Sequence, residues 1–181
     1  FLLVPMGRGR GLAVTALDPE AYEEALVKIA LMAERSPLEI KPTCGPHYIR
    51  VVARLRAEAY ASPYGAIPRA VGREHPPAPL SMTRGCLGGQ GFVFISHRGA
   101  VQICGFLEIP AGDLRAEKYD LKKIWETSPL FSEIRNVSRY HGKCGRCEYN
   151  RVCGGCRARA FAHSGDYLGE EPNCVYHPKN G

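Results

Sequence analysis

The sequence predicts an α+β fold in two unequal parts joined by a linker. Three observations predict it: strands alternate with helices through residue 62, five prolines break up residues 61–80 without any periodicity, and seven of the eight cysteines lie between 86 and 174. The expected parts are residues 1–62, a linker at 63–85 and a small cysteine-rich region at 86–181.

"FLLVP" at the start reads as a buried strand with no preceding partner, and together with Phe1 in place of Met this suggests a segment of a longer chain. "GRGRG" follows as a loop. "DPEAYEEALVKIALMAERS" (18–36) carries strong helix-start signals: Asp18 as N-cap, Pro19 at the first helical position, and Glu20, Glu23 and Glu24 in the opening turns. Tyr22, Leu26, Ile29 and Met32, with Ala25 and Ala33, form the expected core-facing stripe. "LEIKPT" (38–43) reads as a short strand, and "HYIRVVARLRAEAY" (47–60) as a helix with Ile49, Val52 and Leu55 inward. Such alternation predicts parallel β/α units whose ligands gather at the carboxyl ends of the strands, where "GRGRG" and "TCGPH" sit. Beyond the linker, "GFVFI" and "AVQIC" flank "SHRG" as a hairpin closed by Gly99, with His97 solvated at its turn. "YDLKKIWETS" gives a short helix capped by Asp120; "SPLFSEIRN" gives another with Ser128 as cap and Pro129 first.

At 45% apolar residues the chain has enough material for a core, yet no apolar run approaches the roughly 18 residues that span a bilayer. The opening apolar stretch ends at Pro5, too short for a signal-peptide core, so a cytoplasmic location is expected. In a reducing compartment, clustered cysteines bind metal more often than they form disulfides. The net charge of +6 suits a polyanionic or carboxylate-bearing partner, and equally a solvated basic surface.

The cysteines run Cys86-x12-Gly99-x4-Cys104, then 39 residues, then Cys144-x2-Cys147-x5-Cys153-x2-Cys156, then x17 to Cys174. A C-x2-C pair points two sulfurs at one centre, and a positive centre keeps them deprotonated. Structural zinc sites commonly separate their pairs by roughly 12 to 20 residues, so a spacer of five is short for zinc. Iron-sulfur clusters often take three close cysteines and one remote one, which fits Cys144, Cys147 and Cys153 with Cys174; Cys156 is then free to join Cys86 and Cys104. Iron-sulfur is the favoured reading, with zinc and structural free thiols as the alternatives. Gly154 and Gly155 let backbone approach a cluster, or simply turn the chain into the helix "CRARAFAH", whose Arg157 and Arg159 read as solvating residues and whose stop is Gly165.

The seven-cysteine pattern with its glycine, over residues 86–174, resembles the SPASM extension of radical S-adenosylmethionine enzymes. "FISHRGAVQICGFLEIPAGDLR", "KIWETSPLF", "CGGCRARAFAHSGDYL" and "EEPNCVYHPK", with "FLLVPMGRGRG" and "KPTCGPHYIR", resemble the tetrapyrrole branch of that family, most of all its heme synthases of the siroheme-dependent pathway. The resemblance implies that residues 1–62 are the last units of a partial (β/α)6 TIM-like barrel and that 86–181 are a SPASM domain of hairpin, short helices and cluster loops. It implies two auxiliary iron-sulfur clusters, of the 4Fe-4S type: one on Cys86, Cys104 and Cys156, the other on Cys144, Cys147, Cys153 and Cys174. The parent enzyme would add S-adenosylmethionine and a third 4Fe-4S cluster. The C-x3-C-x2-C motif that holds this third cluster in the family is absent here, so no catalytic residue is assigned.

The first auxiliary cluster lacks a fourth cysteine close before Cys86, since residues 70–85 contain none; an open iron, a non-cysteine ligand, or Cys44 are the possibilities. The implied reaction converts two propionates of iron-coproporphyrin III, or acts on a related tetrapyrrole, to give vinyl groups by oxidative decarboxylation. Ferredoxin or flavodoxin would exchange electrons. Arg8 and Arg10 are candidates for the substrate carboxylates, and His47 for substrate iron or a propionate. The alternatives are the sister enzymes that deacetylate didecarboxysiroheme or build heme d1, and a SPASM peptide maturase. A zinc module on nucleic acid is the non-enzymatic alternative, opposed by the missing aromatic interleaving of a single-strand binder; no nucleic acid and no membrane span are expected.

Overall fold

Asp18 starts the first helix as its sequence demands. In the computed structural model, which describes residues 2–38, 40–61 and 84–179, its Oδ1 accepts a hydrogen bond from the Ala21 amide at 2.7 Å, and α1 runs Pro19–Arg35. The buried line is Tyr22, Leu26 and Ala30, a strict i, i+4 row, whereas Met32 is 54% exposed. The expected stripe is thus rotated: Ala30 faces the neighbour because a small side chain lets α2 (Tyr48–Ala61) approach, and Met32 falls on the flank. α2 buries Ile49, Val51 and Val52.

The two strands expected in the first part do not form among the described residues. Leu2–Pro5 and residues 40–43 lie side by side, but a single backbone bond joins them, from Leu2 N to Thr43 O at 3.0 Å. Pro5 and Pro42 withdraw donors from both segments, which prevents a regular ladder. "GRGRG" is likewise not an open loop but the start of a 3-10 helix, Gly7–Thr15, with no buried residue. The expected linker at 63–85 lies almost entirely outside the described residues.

The hairpin forms as expected: β1 (Phe94–Ile95) pairs antiparallel with β2 (Ala100–Gln102), in the register Phe94 to Gln102. Gly99, at φ 93°, supplies the left-handed turn residue, and His97 is exposed. A third strand, β3 (Gly112–Asp113), adds to β2, which the sequence did not announce. α3 (Leu121–Thr127) is capped by Asp120, and α4 (Pro129–Arg135) begins at Pro129. Ser128 occupies the cap position of α4 without capping it; its hydroxyl is buried and unpartnered. α5 (Gly142–Arg146) and α6 (Arg157–Ser164) frame the cysteine loops, and Gly165 at φ 75° ends α6. Val101, Ile103, Leu107, Phe131 and Ile134 form the main core with Ala158 of α6 and with Val4 from the opening segment. No helix among the described residues is long and apolar enough to cross a membrane.

Candidate metal centres

All eight cysteines are free thiols, and the chain gathers them in two places. Cys144 lies on α5, Cys147 ends it, Cys153 closes a tight turn in which its amide reaches Tyr149 O at 2.7 Å, and Cys174 arrives on the last segment. These four line one cavity of about 420 Å3, a volume that includes space open to solvent. Among the described residues, no three His, Cys, Asp or Glu side chains converge closely enough to hold a single metal ion. The four thiols ring a volume instead of meeting at a point.

Donors surround those sulfurs. Tyr149 N donates to Cys147 Sγ at 3.4 Å, Glu171 N to Cys144 Sγ at 3.4 Å, and Arg157 Nη2 to Cys144 Sγ at 3.6 Å. Burial pushes the thiols of Cys147, Cys153 and Cys174 upward, while the amides of Tyr149, Gly155 and Tyr176 respectively oppose the push. Without a positive centre, these groups are therefore protonated; a metal centre would supply the missing charge. Gly155 makes the turn possible: it sits at φ 63°, and a Cβ there would stand 2.5 Å from Arg157 Nη2 and 3.2 Å from Cys144 Sγ.

The remaining four thiols do not line that cavity. Cys156 is buried, with Cys44 and Cys104 packed against the same core. Burial raises the Cys86 thiol, and the neighbouring Cys104 adds to the rise; Cys44 is pushed up to about 11 by burial and by Cys104 and Cys86. Cys156, raised by burial, also feels Cys86. Cys44 has a left-handed backbone at φ 60°, costly for a residue with a Cβ. Its carbonyl is clamped by Tyr22 Oη at 2.8 Å and Arg159 Nη2 at 2.9 Å.

Arg157 and Arg159 are not solvating residues: they are 1% and 2% exposed. Arg159 Nη1 bonds both Glu171 oxygens at 3.1 Å, and Glu171 also accepts from Cys156 N at 2.7 Å. Burial opposes ionisation of Glu171, but Arg159, His47 and the Cys156 amide together outweigh it, holding the carboxyl below its usual range. One buried ion pair thus touches the Cys44 carbonyl, the Cys156 amide and, through the Glu171 amide, Cys144. Sequence reasoning missed Glu171 and Arg50; the only signal was their position, three residues before Cys174 and three after His47.

Arg8 and Arg10 are exposed on the 3-10 helix. His47 is fully buried and lines the cavity of Cys144, Cys147, Cys153 and Cys174, so the structure brings it to the thiols and not to the surface with the arginines. Burial lowers its pKa to about 4, and neither ring nitrogen has a hydrogen-bond partner.

Residues 86–157 match the model of the SPASM family, an iron-sulfur cluster-binding domain. The chain thus carries a SPASM domain, and along nearly its whole length its sequence is similar to those of AdoMet-dependent heme synthases. It is 44% identical over 99% of its length to the AdoMet-dependent heme synthase of Oleidesulfovibrio alaskensis, covering 43% of that protein. It is 42% identical over 98% of its length to the enzyme of that name from Methanosarcina barkeri, covering 47% of it. The PqqA peptide cyclase of Bradyrhizobium diazoefficiens is 33% identical over 51% of the chain and 26% of its own length. The chain spans less than half the length of the heme synthases it matches.

Proposed function

We propose that this chain is the part of a radical S-adenosylmethionine heme synthase that carries two auxiliary 4Fe-4S clusters. Cys144, Cys147, Cys153 and Cys174 hold one; Cys86, Cys104 and Cys156 hold the other, with Cys44 as fourth ligand. The carrying observation is that Cys144, Cys147, Cys153 and Cys174 line one cavity, while of the other four thiols Cys156 lies in a core against which Cys44 and Cys104 pack. The donor set fits: Cys156 is buried and the other thiols half-buried, N–H groups approach the sulfurs of Cys144 and Cys147, and the four in the cavity ring a volume suited to a multi-iron cluster.

In the reading favoured here, the parent enzyme turns two propionates of iron-coproporphyrin III into vinyl groups. S-adenosylmethionine, when bound in the parent enzyme, would supply the radical chemistry that starts this oxidation, and each decarboxylation would leave one electron to be accepted. When bound, the auxiliary clusters supply one-electron acceptance. The chain's own residues hold the thiolates, exclude water through the core around Cys156, and soften the added negative charge with N–H donors. Arg8 and Arg10, exposed at the 3-10 helix, remain the candidates for substrate carboxylates, since guanidinium binds carboxylate bidentately. Ferredoxin or flavodoxin and a cytoplasmic setting complete the reading. The heme-synthase likeness runs along 98–99% of the chain and the peptide-cyclase likeness along about half, which favours a tetrapyrrole over a peptide substrate.

The test is incubation of the full-length, anaerobically reconstituted enzyme with iron-coproporphyrin III, S-adenosylmethionine and a reductant. Mass spectrometry is expected to show vinyl product; its absence, with the clusters in place, would sink the substrate assignment.

A further inference from the structure

Two buried donors in the cavity of Cys144, Cys147, Cys153 and Cys174 have nothing to bond. His47 is fully enclosed with both ring nitrogens unpartnered, and Arg50, 1% exposed, leaves its Nε unpartnered. Both line that cavity, three residues apart at the start of α2, the spacing that places side chains on one helix face. An orphaned N–H in a protein interior is costly, so two in one place call for an acceptor.

Among the described residues none is free: Glu171, which lines the same cavity, already accepts from Arg159, Cys156 N and Asn173 N. Glu23 is already taken by the Nη atoms of Arg50, the first at 2.8 Å, and Tyr22 Oη donates to Cys44 O while its ring meets His47 edge-on at 4.8 Å. Two of the thiol sulfurs are already served, Cys144 by Glu171 N and Arg157 and Cys147 by Tyr149 N, while the charge of Arg50 acts on Cys174. What a four-iron cluster would add to this cavity is inorganic sulfide, an acceptor with no partner yet.

We propose that His47 and Arg50 donate hydrogen bonds to the sulfides of the cluster held by Cys144, Cys147, Cys153 and Cys174, and so raise its reduction potential. This rests on the reading that the cavity holds an iron-sulfur cluster. Donors to sulfur stabilise the reduced, more negative form. The pairing of Arg50 with Glu23 offsets its charge and leaves chiefly the directed N–H. His47 then tunes the cluster from α2 instead of meeting substrate.

The test is an EPR-monitored redox titration of the anaerobically reconstituted full-length protein, following the signal that Cys153→Ala removes. His47→Phe and Arg50→Lys are each expected to shift its midpoint to lower potential, with iron and acid-labile sulfide per chain as in the wild type. Unmoved midpoints at full iron content overturn the donor role and leave the cluster reading standing. Loss of iron from His47→Phe and also from His47→Asn, in folded protein, overturns it by making His47 a ligand. If Cys153→Ala removes no signal, the cluster reading itself falls. In unsubstituted protein labelled with 15N-histidine, pulsed EPR is expected to show a weak nitrogen coupling to the reduced cluster; none would overturn the role of His47 without any variant having to fold.

Discussion

Glu171 and Arg159 are 1% and 2% exposed, and each is useful only because the other is there. Arg159 spends its guanidinium on Glu171, Leu3 O and Cys44 O, while Glu171 takes the Cys156 amide as well. Removing one partner of a buried pair strands the other charge, which costs about 3–5 kcal/mol. Glu171→Gln is therefore expected to destabilise the chain by about 3–5 kcal/mol in chemical denaturation, far more than surface pairs such as Lys28–Glu24 contribute. A loss under 1 kcal/mol would contradict the role given to the pair. The thiols were legible from spacing, because a C-x2-C pair constrains its own neighbourhood. The charges were not: "CRAR" looks like a solvated helix face until Glu171, 12 residues from Arg159, and Leu3, 156 residues away, come to meet it.

Among the elements, local chemistry was readable wherever the chain answers to itself. The cap at Asp18, the stop at Gly165 and the turn at Gly99 follow from two or three neighbouring residues. Among the described residues, the strands expected near 2–5 and 40–43 did not follow, because a strand needs a partner with free donors, and prolines interrupt both. The facing side of α1 was displaced for a related reason: the row Tyr22, Leu26, Ala30 is chosen by the approach of α2, which periodicity alone does not report. The turn between the two thiol groups gives a sharp comparison. Gly155 and Gly165 both have φ above +60°, but nothing lies within 4 Å of a Cβ at Gly165. Gly165→Ala is expected to cost about 1–2 kcal/mol in denaturation and to leave bound iron unchanged. Gly155→Ala is expected to cost more and to lower iron per chain, since its Cβ would displace Arg157 and Cys144; equal iron in the two variants would count against the turn's role.

At the scale of the molecule, the opening segment and the cysteine-rich region share one core. Val4 packs with Val101, Phe131 and Ala158, and Cys44 packs against the same cluster. Gly85 holds the two thiol groups close, since a Cβ there would stand 2.4 Å from Pro46 O and 2.9 Å from Cys153 O. On the proposed function, the chain is a frame for two metal centres, with the buried Arg159–Glu171 ion pair touching residues of both. Iron content, acid-labile sulfide and the EPR spectra of the reduced protein, compared across the wild type, Cys153→Ala and Cys86→Ala, test this directly. Each substitution is expected to remove about half of the auxiliary-cluster iron and one of the two auxiliary signals, a different one in each variant, as separate clusters require. A folded protein in which either change abolishes both signals, or in which neither change removes iron, would contradict the two-centre account.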